Sequence, residues 1–146
     1  MKEILTNKFL WGPLLTSFTA QFIKFLVTLI KYRKIDVGKF VEMGGLPSAH
    51  SASVSALTVL VGLSEGFSSP LFGAVAFFSI IVMYDAAGIR RAAGEQAKVI
   101  NAIIQELFSG HPISENKLKE LLGHTPFEVL TGALMGGFMG WLIWKI

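Results

Sequence analysis

Four apolar runs, each close to the length needed to cross a bilayer, decide what this sequence can fold into. They cover residues 10–30, a stretch that begins within GGLPSAHSAS and ends at residue 63, residues 67–84 and residues 127–144. A helix needs about 20 predominantly apolar residues to span the hydrocarbon core, where no water is present to satisfy an open backbone. The first run supplies 21, broken only by Lys24 and small polar residues. Its apolar stretch outlasts the h-region of a cleaved signal peptide, and no small-residue cleavage site closes it, so it is expected to stay as a span. Charged residues make up 16% of the chain, against about 25% in soluble domains. The mean hydropathy of +0.58 points the same way. The 146 residues suit one domain. The expectation is therefore a single all-α unit over residues 1–146, a polytopic membrane helical bundle of about four transmembrane helices plus an interfacial helix.

The interfacial helix is expected within residues 94–122. There Ala97, Ile100, Ile103, Ile104, Leu107 and Phe108 recur at helical spacing among polar residues, which makes the segment too polar to span. Lysine and arginine then set the sidedness. The loop after the first run holds Lys31, Arg33, Lys34 and Lys39, and the segment before the last run holds Arg90, Arg91, Lys98, Lys117 and Lys119. These are nine of the thirteen, whereas the loop 64–69 holds none. Positive segments stay on the cytoplasmic side, so both termini and the short loop are expected outside. Trp11, Trp141 and Trp144 then form an aromatic belt at the outer interface. In a membrane chain the net charge of +3 reports orientation and anionic lipid, and no nucleic-acid partner is expected.

The absence of cysteine excludes disulfides, thiolate metal sites and a thiol nucleophile, leaving His, Ser, Asp and Glu for chemistry. Ser17, Gln21, Lys24, Thr28 and Lys31 fall at steps of four, three, four and three, along one face of a helix. Lys24 lies about 10 Å of helical rise from the basic end. It must either snorkel to the headgroups or face protein, water or an anion, because lipid exposure of its charge is costly. In GGLPSAHS, Gly and Pro stand where a helix begins, so free N–H groups and the positive end of the helix dipole favour a phosphate, with Ser48 and His50 as further donors. Capping alone would also account for the Pro-Ser pair. His124 and Glu128 are four apart around the last helix start, a spacing that lets the carboxylate reach the imidazole and fix its tautomer. Under the expected topology His50, Arg90, Arg91, His124 and the lower end of the Lys24 stripe reach one face. Two histidines among fixed cations suit phosphoryl transfer.

The segments GGLPSAHSAS, DAAGIRRAAGEQAKVIN and ELLGHTPFEVLTG resemble the type-2 phosphatidate phosphatase superfamily, whose usual pattern is KxxxxxxRP, PSGH and SRxxxxxHxxxD. They are similar to its small divergent bacterial and plant branch, related to acid phosphatases and vanadium haloperoxidases, over residues 21–132. The resemblance implies a membrane phosphatase acting on a lipid phosphate or polyprenyl diphosphate, expected in a bacterial plasma membrane, and the charge distribution above sets its site facing the cytoplasm. It implies that His124 is the nucleophile that becomes phosphohistidine, that Glu128 stands where an Asp usually orients it, and that His50 is the general acid. It further implies that Lys24, Ser48 and the backbone N–H groups near Ala49 bind phosphate. No metal or other cofactor is called for, and Asp85 and Glu95 are too scattered to suggest one. Two arginine positions hold other residues: Lys31, followed by Tyr32 in place of Pro, and Leu118. Arg90 and Arg91 are the candidates to replace them. The alternative is a non-catalytic membrane protein that binds anionic lipid or a phosphorylated ligand through the same basic pocket. A transporter would need polar residues through the full thickness, and the outer half of this chain is apolar. Gly132, Gly136 and Gly140 form a doubled GxxxG, which packs either within the chain or in a homodimer.

Overall fold

The computed structural model describes residues 2–33, 35, 38, 44–107 and 123–146; within them the side chains of residues 2, 5, 32, 89–91 and 106 are not described. Lys34, Lys39, Phe108, Lys117, Leu118 and Lys119 lie outside the described residues. A short helix α1 (Lys2–Leu5) precedes α2 (Lys8–Tyr32), α3 (Ala49–Glu65), α4 (Pro70–Ala87), α5 (Ile89–Leu107) and α6 (Pro126–Lys145). The long apolar helices begin where the sequence offers a side-chain acceptor for the open N–H groups. Asn7, Ser48, Ser69 and Thr125 are the N-caps of α2, α3, α4 and α6. Proline follows the cap in α4 and α6, where its missing N–H costs no hydrogen bond.

Side-chain size is sorted outward. The interior is built from Ala20, Ala49, Ala52, Ala56, Ser48 and Ser51, with Leu60 the largest fully buried side chain among the described residues. Phe18, Phe22, Phe77, Phe78, Leu134 and Phe138 face outward. Water would penalise such a surface, whereas lipid solvates it, so helices associate through close packing of small residues. The all-α membrane bundle expected from the sequence is the fold observed.

Three stretches among the described residues are long and apolar enough to cross a membrane: Lys8–Lys31, Pro70–Gln105 and Pro126–Lys145. The expected fourth, α3, is different in kind. It has 17 residues, a rise of about 25 Å, and no residue from 49 to 63 is exposed, because α2, α4 and α6 pack around it. Enclosure explains how it carries His50, Ser51, Ser53, Ser55 and Thr58 without presenting them to lipid. Thr58 and Ser79 tie it to α4 through a 2.8 Å hydrogen bond.

The doubled GxxxG is used inside the chain. A methyl group at Gly132, Gly136 or Gly140 would collide with the carbonyl oxygens of Ser48, Ala52 and Ala56, which form the matching i, i+4 stripe of α3. The stripe is therefore covered by α3 within the chain. At the opposite end from the α3 N-terminus, the Lys8 ammonium lies 4.4 Å from the Trp144 ring centroid, which brings the start of α2 beside the end of α6. Helix α5 follows α4 through Gly88 with hardly a break. Its Ile100, Ile103, Ile104 and Leu107 are exposed rather than packed on the bundle, as expected of a helix that lies against a membrane surface.

Candidate functional site

The end of α2, the start of α3, the end of α4 and the start of α6 meet at one end of the bundle, and backbone hydrogen bonds fix their register. Ser48 N–H donates to the Glu128 carbonyl at 3.0 Å, joining the first residues of α3 and α6. His124 N–H donates to the Ala86 carbonyl at 2.9 Å, which hangs the loop before α6 on the end of α4. Gly44 and Gly123 touch across these loops: a Cβ on Gly44 would lie 3.3 Å from the Gly123 oxygen. Both have positive φ, 123° and 100°, which a side chain would strain.

Within this frame His124 is 3% exposed and sits beside His50, with ring centroids 6.0 Å apart and an edge-on arrangement of 66°. His124 Nδ1 donates to Glu128 Oε2 at 3.3 Å. The same oxygen accepts from Thr125 N–H at 3.0 Å, while Thr125 Oγ1 accepts from Glu128 N–H at 3.3 Å. The start of α6 is thus a capping box, and its carboxylate also reaches the imidazole. With Nδ1 held, Nε2 is the nitrogen left for chemistry. Burial above all, and then the Lys24 charge, hold the His124 imidazole below its ordinary pKa, against the opposing hydrogen bond and charge of Glu128 and a hydrogen bond to the Gly45 backbone. The ring is therefore neutral at pH 7.

Lys24 is 6% exposed, and its methylene chain runs past Gly45, where a Cβ would stand 3.7 Å from Cδ. Its charge acts on His124. It therefore points into the protein and does not snorkel. Ser48 is fully buried and works first as a cap: its Oγ accepts from Ser51 N–H at 3.4 Å and from Ser51 Oγ at 3.1 Å. Ala49 opens the first turn of α3, whose N–H groups have no partner within the helix. Lys24, Ser48, Ala49, His50, His124 and Glu128 are thus brought together as expected. Arg90 and Arg91 stand in the first turn of α5, and their side chains lie outside those described.

Three contributors were missed in the sequence. Thr125 was visible as the first residue of TPFE, a capping-box spacing. The Ala86 carbonyl carries no sequence signal, since any residue supplies the same group, and Gly45, visible in the GG pair and held at a positive φ of 81°, was not legible as a partner of His124. Chemically, the site combines a buried cation, a neutral oriented imidazole, a second histidine and a helix N-terminus, a set that suits a phosphate-sized anion.

The family described as "Divergent PAP2 family" matches residues 5–139. The chain is 42% identical over 145 residues to "Uncharacterized membrane protein YuiD" of Bacillus subtilis (strain 168), covering 92% of each chain. No solved structure matches it significantly.

Proposed function

Because the chain belongs to the divergent PAP2 family, we propose that it is a membrane-embedded phosphatase, cleaving a lipid phosphate or polyprenyl diphosphate at the cytoplasmic face of a bacterial plasma membrane. The observation that carries this reading is the pairing of His50 and His124, 6.0 Å apart, with Glu128 on His124 Nδ1. His124 Nε2 attacks phosphorus and the bond from phosphorus to the leaving oxygen breaks. His50 gives its proton to that oxygen. Water, deprotonated by His50, then attacks the phosphohistidine, which releases phosphate and restores both rings. Lys24 and the N–H groups at Ala49 and His50 hold the phosphoryl oxygens as their charge redistributes. Ser48 has its own proton to add, and Arg90 and Arg91 supply cations in place of the two pattern arginines.

A second reading, a non-catalytic site for anionic lipid, is favoured by one observation: Lys31 and Leu118 stand where arginines are usual. Purified protein incubated with a panel of lipid phosphates and quenched in acid separates the two. Phosphatase action gives phosphate release and labelled protein, and His124→Ala loses both. His50→Ala loses about 10²–10⁴-fold with an alkoxide leaving group and far less with p-nitrophenyl phosphate, whose leaving group needs little protonation. Label on His50, or equal losses with both leaving groups, overturns the roles. Binding without release supports the second reading.

A further inference from the structure

Ser48 is fixed by both of its backbone groups and by the helix beside it. Its N–H donates to the Glu128 carbonyl at 3.0 Å, and its carbonyl accepts from Ala52 N–H at 3.0 Å. Helix α6 presses against it at Gly132, where an added Cβ would collide with the Ser48 backbone. The residue is fully buried, so its hydroxyl finds partners only within the protein or on a ligand. Oγ accepts twice, from Ser51 N–H at 3.4 Å and from the Ser51 hydroxyl at 3.1 Å. A serine oxygen has two lone pairs and one proton. Both lone pairs are therefore engaged, and among the described residues no acceptor takes the proton.

The Ser51 side chain creates this condition. Capping needs only the backbone N–H of residue 51, which any residue but proline supplies. Its hydroxyl is fully buried as well, and among the described residues its hydrogen bond is the one it gives to Ser48. Other buried hydroxyls of the bundle bond back to their own helix, as Thr16 does to Gly12 and Ser79 to Val75. Because Ser51 donates, Ser48 cannot turn its own proton onto Ser51. Resting on the phosphate site of the reading above, we propose that Ser51 is a positioning residue that makes Ser48 a donor only, so that the site takes a terminal phosphoryl group in its dianionic form, with all three outer oxygens deprotonated. Lys24 and the first-turn N–H groups of α3 are donors too, and a proton on one of those oxygens would meet another donor. His124 Nε2 addresses phosphorus and His50 the leaving oxygen, so neither ring takes that proton.

The test titrates inorganic phosphate and sulfate into the detergent-solubilised protein between about pH 8 and about pH 5.5, for wild type, Ser51→Ala and Ser51→Thr. Sulfate carries no proton across this range. It therefore reports the protein's own titration, to which Lys24, His50, Asp85, His124 and Glu128 contribute from α2, α3, α4 and the start of α6. The ratio of phosphate to sulfate affinity then reads the proton on the ligand. In wild type this ratio is expected to fall by about tenfold per pH unit once hydrogen phosphate takes up its second proton. Ser51→Ala leaves Ser48 a lone pair to accept from that proton. At the acid end it should raise the ratio about two- to tenfold over wild type, the worth of one neutral hydrogen bond. Ser51→Thr keeps the donor and should restore the wild-type ratio. A ratio that stays flat with pH in wild type overturns the donor-only site, and this arm needs no variant to fold. An unchanged ratio in Ser51→Ala, with both anions weakened equally or not at all, assigns Ser51 to packing and overturns the proposal while the phosphatase reading stands. Binding of neither anion by wild type removes the phosphate site, and the phosphatase reading falls with the proposal.

Discussion

Glu128 serves two neighbours through one oxygen, His124 Nδ1 and Thr125 N–H, and this accounts for a glutamate where the related pattern has aspartate. The reciprocal cap requires a side chain long enough to reach back three residues, which Glu does and Asp does poorly. Glu128→Asp is accordingly expected to loosen the start of α6, costing about 1 kcal/mol of stability in thermal melts. Glu128→Gln keeps the cap acceptor and loses the charge that supports the imidazole, so its turnover should fall between wild type and His50→Ala. Lys24 gives a second expectation. Its charge is one of two causes that lower the His124 pKa, and the protonated ring cannot attack. The acid limb of kcat/KM should therefore lie below about pH 6.5. Lys24→Met removes a charge that disfavours imidazolium, so the limb moves to higher pH, and vanadate or phosphate affinity drops by about 1.5–3 kcal/mol. A limb that stays in place with unchanged affinity means Lys24 does not face the anion. At this scale the sequence was informative wherever chemistry needs a particular side chain, as at His50, His124, Glu128 and Lys24. It was silent where the backbone of any residue does the work, as at the Ala86 carbonyl.

Helices α3 and α6 are joined by absence of side chain. The Gly132, Gly136 and Gly140 stripe admits the Ser48, Ala52 and Ala56 backbone, and the same register brings His124 beside His50. Gly136→Leu is expected to force the helices apart, lowering stability by about 1–3 kcal/mol or more and abolishing turnover. Gly73→Ala, where an added methyl meets nothing within 4 Å, should change stability by less than about 0.5 kcal/mol. Thermal unfolding in one detergent compares the two. The glycine spacing was legible from the sequence, but its partner was not, because a small-residue stripe fits any small-residue stripe. The enclosure of α3 was likewise hidden: an apolar run of 17 residues reads the same in lipid as behind three other helices.

For the molecule as a whole, charge distribution carries the orientation that the fold alone leaves open. With no native cysteine, single-cysteine labelling in intact cells is clean. Position 68 should label from outside, and position 98, on the basic helix α5, should be protected until the membrane is opened. The reverse pattern would invert the side from which substrate enters. The fold class and the span positions were legible from hydropathy, because the bilayer imposes a length. The order of neighbours around α3 was not, since it depends on which small surfaces meet. The contact of Lys8 with Trp144 gives that order one more meaning. It makes the bundle nearly a closed ring, in which the seam between first and last spans is held by contact rather than by covalent connection. A circular permutant follows: residues 8 and 145 joined by a short polar linker, with new ends opened in the loop 66–69, should insert with the same sidedness and retain the His50–His124 pair.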